Sequence, residues 1–404
     1  MSFFLGCKVS EPIQVLDDSE VTTSFFEPES AASNVSSNYD AFFIPPNTSD
    51  RGIGQTCATG SIAGSVCAPN EDVLFGASIR AEGTDCNENP FVAETTSTSS
   101  GFFRLSDLPT GYTEVTITSG SFVGRYAVEV KANREIGLTE SESTKVCLPT
   151  DAAGLAVLQG GYDHVEDILE ELGFEHDVYC GGYGISQAAF AFLSDFERLS
   201  TYDILFVNCA TGIEIRADNP EMETVRENLR TFVREGGSIY VSDLSSDFVQ
   251  QLFPDAVTFR TTNPSARTLD ECCVCLECEE SCIEQAPSTL ACGEDNHLAE
   301  QCRAPIIPTG RGATGDIPAS VTSEFLREAT EIERLDINFN GNNWVEIETV
   351  ADTTDILVES GSQPMMVMFQ PYPNGGRVAY TSFHLHVQSN EAMGKILRSL
   401  IFRL

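Results

Sequence analysis

Two stretches of this 404-residue chain carry side chains whose type and spacing could do chemistry. The first is Gly236-Gly237-Ser238-Ile239-Tyr240-Val241-Ser242-Asp243-Leu244-Ser245-Ser246. It reads as a buried strand that stops abruptly and turns into a helix over Asp247 to Phe253. Ligand crevices of open α/β sheets lie at the carboxyl ends of the strands, which makes Asp243 the first candidate for acid–base or ligand chemistry. The second stretch runs from Cys272 through Cys273, Cys275, Cys278, Cys282 and Cys292 to Cys302, seven cysteines within 31 residues. Cys275 and Cys278 form a Cys-x-x-Cys pair, the spacing used by zinc and iron–sulfur sites, and His297 could add a ligand. The competing reading is a set of disulfides that staple a segment poor in large apolar residues. Acids packed around these thiols favour disulfides, so no metal and no cofactor is expected.

Two shorter motifs are weaker. Asp336-Ile337-Asn338-Phe339-Asn340-Gly341 matches the first half of an EF-hand loop. The twelfth position is Ile347, however, where a bidentate glutamate is needed, and a polar turn is the expectation there. Asp243-Leu244-Ser245-Ser246-Asp247 is superficially similar to the Asp-x-Ser-x-Ser cation site of adhesion domains, but its fifth position is Asp.

The surroundings of these residues constrain their use. The chain has 61 acidic and 23 basic residues and a formal net charge of −38. Such a surface repels nucleic acid and anionic lipid headgroups. It serves solubility, or else forms a cation-binding surface. No apolar run reaches the ~18 residues that span a bilayer. Fourteen cysteines, arranged in pairs and one cluster, suit an oxidising compartment.

Three segments follow from texture. Residues 1–56 are an acidic linker rich in Ser, Glu, Asp and Pro, with aromatic pairs such as Phe25-Phe26 and Phe42-Phe43. Residues 57–148 carry short alternating strands at Ser61 to Val66, Val73 to Arg80, Phe102 to Leu105, Thr113 to Ser119 and Tyr126 to Lys131, the pattern of an all-β sandwich. Residues 151–404 alternate strand and helix, which implies a parallel sheet covered on both faces. Its strands fall at Leu155 to Leu158, Glu175 to Tyr179, Ile204 to Asn208 and Ile239 to Val241. Further strands are expected at Trp344 to Val350, Ile356 to Glu359, Met365 to Gln370 and Arg377 to Phe383. Helices are expected at Val165 to Leu172, Val225 to Arg234 and Glu391 to Phe402. The Cys-rich insertion at 261–315 interrupts this unit.

Three resemblances refine the picture. Met1-Ser2-Phe3-Phe4-Leu5-Gly6-Cys7 resembles the end of a bacterial lipoprotein signal, with a small residue before the cysteine, although the basic segment and most of the apolar core of such signals are not in this chain. That resemblance implies lipidation at Cys7 and a membrane partner through the lipid. In the second segment, Gly60-Ser61-Ile62-Ala63-Gly64-Ser65-Val66, Leu74-Phe75-Gly76-Ala77-Ser78-Ile79, Gly101-Phe102 and Leu108-Pro109-Thr110-Gly111-Tyr112 resemble the carboxypeptidase regulatory-like family, a transthyretin-like sandwich. Its members are usually non-catalytic modules of extracytoplasmic proteins. The third segment resembles the class I glutamine amidotransferase-like superfamily, a doubly wound flavodoxin-like fold. The carriers are Tyr202-Asp203-Ile204-Leu205-Phe206-Val207-Asn208-Cys209, Leu229 to Gly237 with the turn after it, and Gly376-Arg377-Val378-Ala379-Tyr380-Thr381-Ser382-Phe383-His384-Leu385-His386.

Active members of that superfamily use a cysteine at a Gly-x-Cys-x-Gly elbow, a histidine base and an orienting glutamate. Here the nucleophile position falls on Asp243, the second glycine on Ser245, the base on His384 and the orienting acid on His386. Two of three catalytic positions are changed, which implies that glutaminase chemistry is lost. Cys209 ends a different strand and is not expected to reach the elbow. Asp243 and His384 are then a structural pair, or a residual acid–base or ligand pair.

Cysteine positions give pairing expectations. Cys67 and Cys86 each follow a strand, and Cys57 and Cys147 bracket the sandwich, so Cys67–Cys86 and Cys57–Cys147 are expected. For Cys57 and Cys147, pairing to the linker or the next domain stays open. Cys209, at the end of a buried strand, is the natural free thiol. Cys180 and the seven insertion cysteines would form four bridges, one of which ties Cys180 to the insertion and lays it over the crevice.

The sequence thus points to an exported protein of a bacterial outer membrane or cell surface, with a binding or structural role toward cell-surface proteins or glycans. An extracellular hydrolase using Asp243 and His384, and a metal protein built on the Cys272–Cys302 cluster, are the alternatives. Leaving out Cys7 and Cys209, 12 of the 14 cysteines should be oxidised. The intact mass of the native protein, taken before and after reduction and alkylation, is expected to show a lipid adduct on Cys7 and those 12 thiols masked. An unmodified Cys7 with most thiols free would overturn the compartment.

Overall fold

The structure, a computed structural model, describes residues 56–138, 145–180, 187–213, 215, 219–260, 312–339, 344–383 and 391–404. The amino-terminal unit contains β1 (Thr59–Cys67), β2 (Ser78–Thr84), β3 (Pro90–Thr96), β4 (Phe102–Pro109), β5 (Gly111–Ser119), β6 (Phe122–Val130), β7 (Glu135–Ile136) and β8 (Lys145–Cys147). One sheet runs β4-β1-β7, with β8 also on β1, and the other runs β3-β2-β5-β6. Alternation decides which side chains face inward. Ile62 and Val66 of β1, Phe103 and Leu105 of β4, Ile79 and Ala81 of β2, and Val115 and Ile117 of β5 are buried together.

The strand expected from Val73 begins later, at Ser78. Gly76 takes a left-handed φ of 70°, which breaks the extended run. Val73 makes only an isolated bridge to Cys67. The edge strand β3 was not anticipated, because it opens on Pro90 and alternates only weakly, being half exposed along its length.

The disulfides differ from the expected pairing. Cys57 bonds Cys86 and Cys67 bonds Cys147. The cause is β8, which returns parallel to β1 and places Cys147 directly opposite Cys67. The four cysteines are those anticipated, but chain order does not reveal that parallel return.

The second unit contains β9 (Leu155–Leu158), α1 (Val165–Leu172), β10 (Asp177–Tyr179), α2 (Gln187–Ser194), α3 (Phe196–Leu199), β11 (Ile204–Val207), α4 (Glu223–Arg234), β12 (Ser238–Ser242), α5 (Asp247–Gln250), β13 (Val257–Phe259), β14 (Gly315–Val321), α6 (Glu324–Thr330), β15 (Arg334–Phe339), β16 (Ile347–Val350), β17 (Asp355–Ser360), β18 (Gln363–Phe369), β19 (Val378–Thr381) and α7 (Glu391–Ile401). Its sheet is ordered β10-β9-β11-β12-β19-β18-β17-β14-β15. The first five strands are parallel, and β18, β17, β14 and β15 extend them antiparallel. Strands β9, β11, β12 and β19 are buried at every residue, the mark of a parallel sheet covered on both faces.

Strands β14 and β15 with α6 between them were not anticipated. The segment Asp336 to Phe339, expected as a polar turn, lies in β15, where Leu335, Ile337 and Phe339 point inward. Its Asp and Asn residues occupy the other face, so the period is two rather than that of a loop.

The two units share one apolar core. Phe122 of β6 packs between Phe174 (ring centroids 4.6 Å apart) and Phe402 (5.1 Å). Ser119 and Ser121 hydroxyls donate to the main-chain oxygens of Phe402 (3.3 Å) and Leu404 (3.1 Å).

A non-reducing peptide map is expected to recover Cys57–Cys86 and Cys67–Cys147 cross-links. Replacing Cys67 and Cys147 together by alanine opens a loop of 80 residues. Chain-entropy arguments put the loss at about 4 kcal/mol. The Cys57 and Cys86 pair closes 29 residues, and by the same reasoning its removal should cost somewhat less, about 3.6 kcal/mol. Urea unfolding of the two double variants checks the order.

Candidate functional site

The parallel half of the sheet directs attention to the carboxyl ends of β9, β11, β12 and β19. At the end of β12 the chain reverses within one residue. Asp243 has φ 42°, in the left-handed region that a short polar residue tolerates better than a branched one. A single 3₁₀ turn, Asp243–Ser245, leads through Ser246 into α5. This is the sharp strand-to-helix turn that the elbow reading required.

The carboxylate is spent inside the protein. Asp243 is 2% exposed. Its Oδ1 accepts the Val345 N–H at 2.7 Å. The Tyr380 hydroxyl, from β19, lies 3.2 Å from the Asp243 main-chain oxygen and 3.4 Å from that of Val345. The segment before β16 is therefore pinned across the elbow.

Cys209 was not expected to reach the elbow, yet its Sγ lies 3.8 Å from Asp243 Oδ2. Strands β11 and β12 are adjacent and in register, so residues just past their ends meet. Cys209 is fully buried and free. Burial pushes its thiol far above the ordinary value, and the neighbouring Asp243 and Asp163 charges push it in the same direction. The Tyr380 and Tyr240 phenols are likewise pushed up by burial, with Asp243 and Asp163 respectively as the next contributors. Such surroundings disfavour the thiolate, which is the reactive form.

A second set of side chains at the same edge escaped the sequence reading. Asn208 Nδ2 donates to Glu166 Oε2 at 2.7 Å, and Glu166 Oε1 lies 3.2 Å from His164 Nδ1. Ser245 Oγ donates to the Asn208 main-chain oxygen at 2.8 Å. Asp247 Oδ2 accepts the Ile215 N–H at 2.9 Å, so the serine and second aspartate of the adhesion-type motif are also engaged in the fold. The pattern Gly160-Gly161 after a buried strand, with Asp163, His164 and Glu166 opening a helix, was the available signal. A side chain on Gly160 would meet the Cys209 main-chain oxygen at 2.1 Å, which explains the glycine at this close approach.

Other expected site residues do not join this group. His384 and His386 lie outside the described residues, as do Cys7 and Cys272, Cys273, Cys275, Cys278, Cys282, Cys292 and Cys302. Cys180, just past β10, is disulfide-bonded. Among the described residues, no three His, Cys, Asp or Glu side chains are placed to hold a metal ion.

No protein-family model and no curated protein sequence matches the chain. Solved structures do resemble its α/β part. A Thermoplasma acidophilum protein named after GMP synthase is 14% identical, with a TM-score of 0.35 over 61% of this chain and 92% of that one. A Thermotoga maritima glutamine amidotransferase is 10% identical, with a TM-score of 0.31 over 61% and 81%. A further glutamine amidotransferase is 12% identical, with a TM-score of 0.34 over 62% and 99%. The chain is thus similar to amidotransferase-like structures at low identity, and no activity passes from them to it.

The Asp243–Val345 contact makes a stability prediction. Asp243→Ala leaves a buried N–H without its acceptor and places a Cβ residue with no local polar compensation at positive φ. The expected loss is about 2–3 kcal/mol. Asp243→Asn keeps an acceptor for Val345 and tolerates the left-handed backbone, so it should lose less than half of that. Urea unfolding of the two variants measures the difference.

Proposed function

We propose that this chain is a non-catalytic binding or structural protein, exported and tethered at a bacterial cell surface through Cys7. In this reading the α/β sheet is a scaffold with an amidotransferase-like ancestry. The amino-terminal unit is a transthyretin-like module of the carboxypeptidase regulatory-like kind. The partners are cell-surface proteins or glycans, together with the membrane that holds the lipid.

One observation carries the non-catalytic reading. At the position where an amide hydrolase presents its nucleophile, Asp243 is buried and hydrogen-bonded to the Val345 backbone. A nucleophile must reach the substrate carbonyl, and a carboxylate held this way does not. Among the described residues the nearby thiol, Cys209, is buried, and burial disfavours its thiolate. Two disulfides in the amino-terminal unit and a bonded Cys180 support an oxidising compartment. The four other bonded cysteines among the described residues pair with one another, so with Cys7 lipidated in this reading Cys180 is left to pair with the insertion.

The test is ammonia release from glutamine by the purified full-length chain. The rate should equal that of buffer and should not change in Cys209→Ala. Turnover abolished by Asp243→Asn or His384→Ala would favour the hydrolase alternative and overturn this reading.

A further inference from the structure

At the end of the sheet opposite the elbow, the seam between the two units opens into a crevice of about 360 Å³. Its walls come from the β5–β6 turn, the segments leading into β12 and β19, and the carboxyl-terminal residues after α7. None of its lining side chains is acidic, in a chain with 61 acids and 23 bases. Two of them are arginines, Arg377 and Arg403.

The Arg377 side chain is tied to the Arg403 backbone. Arg377 Nη1 donates to the Arg403 main-chain oxygen at 2.5 Å. The Arg403 guanidinium lies 4.4 Å over the Phe325 ring, which orients its plane. Both are half-buried, and neither makes an ion pair with a carboxylate among the described residues. Burial lowers the Arg403 pKa, the Arg377 charge lowers it further, and Asp355 only partly opposes them. Arg403 is thus a partly desolvated cation beside a second one, with Asp355 as the carboxylate that partly offsets them.

Hydroxyls and a carboxamide supply further polar contacts around them. Ser78 and Thr118 come from the β-sheet unit, and Gln370 from the α/β unit. The backbone approaches closely here: a side chain on Gly120 would strike the Leu404 main-chain oxygen at 2.4 Å, and one on Gly376 the Gly237 oxygen at 2.0 Å. These glycines keep the crevice walls thin and in place.

We propose that this seam crevice binds a small oxyanion-bearing polar ligand, with Arg377 and Arg403 clasping its anionic head group. Guanidiniums match the geometry of phosphate and carboxylate oxygens and form charge-assisted hydrogen bonds to them. The acidic surface works against nonspecific anion uptake, so binding here must come from this local pair. The site is independent of the elbow and of whether the elbow is catalytic.

The experiment titrates the full-length chain with sodium phosphate and, separately, with sodium glucuronate. Sodium chloride holds ionic strength constant, and the readouts are heat of binding and unfolding midpoint. Saturable binding with a rise in midpoint is expected for one or both probes. Phosphate alone would assign a tetrahedral head group, glucuronate alone a planar carboxylate, and both a general oxyanion site. Arg377→Gln and Arg403→Gln should each weaken binding about tenfold or more, the scale of one lost charge-assisted bond. Ser78→Asp adds a carboxylate at an exposed position of the rim and should abolish binding without touching the packing, which guards against misfolding of the arginine variants. No saturable binding of either probe overturns the proposal, and so does unchanged affinity in Ser78→Asp and in a folded arginine variant.

Discussion

The constraint on which this α/β unit turns is the end of β12. Each residue of that strand is paired, to β11 on one side or β19 on the other, and buried on both faces. Such a strand cannot drift into a loop without exposing or orphaning its peptide groups. It ends instead in a single left-handed residue, Asp243, whose carboxylate takes up the otherwise unpaired Val345 N–H. That bond locks the parallel half of the sheet to the segment following β15. Next to it, Trp344 stacks on Phe339 of β15 with ring centroids 4.2 Å apart, and its Nε1 donates to the Ala313 main-chain oxygen. The elbow is therefore a structural joint as well as the place where a crevice would be.

The electrostatics of the elbow follow from that closure. A carboxylate, a thiol and two phenols sit together in the interior, and burial disfavours the charged form of each thiol and phenol. The negative groups reinforce that preference in one another. The two arginines at the opposite end of the sheet contrast with this group. They are half-buried cations at the seam between two packed units.

That seam is a consequence of the shared core. Phe122, Phe174 and Phe402 come from a β-strand of one unit, a loop of the other and the segment after the last helix, and they form one aromatic cluster. Apolar burial of this kind fixes the units against each other. The two disulfides among the described residues serve a different purpose: both lie within the amino-terminal unit and close its open ends.

The sequence by itself determined the order of the parallel strands and of the helices α1, α4 and α7, because mostly apolar buried strands alternate there with amphipathic helices, while α2 and α3 escaped it. It also determined the turn at Asp243 and the free, buried state of Cys209, since each follows from an apolar run that ends at a polar residue. It did not reveal β3, β14 and β15, whose edge or antiparallel positions expose one face and weaken the apolar signal. Nor did it reveal the disulfide partners, which depend on the parallel return of β8 beside β1. Only the tertiary structure decided that Cys209 meets Asp243, that Val345 covers the elbow and that Arg377 meets Arg403. Those contacts join residues 34, 102 and 26 positions apart. Local periodicity says which face of an element is buried, but the register between distant elements decides which side chains share that burial.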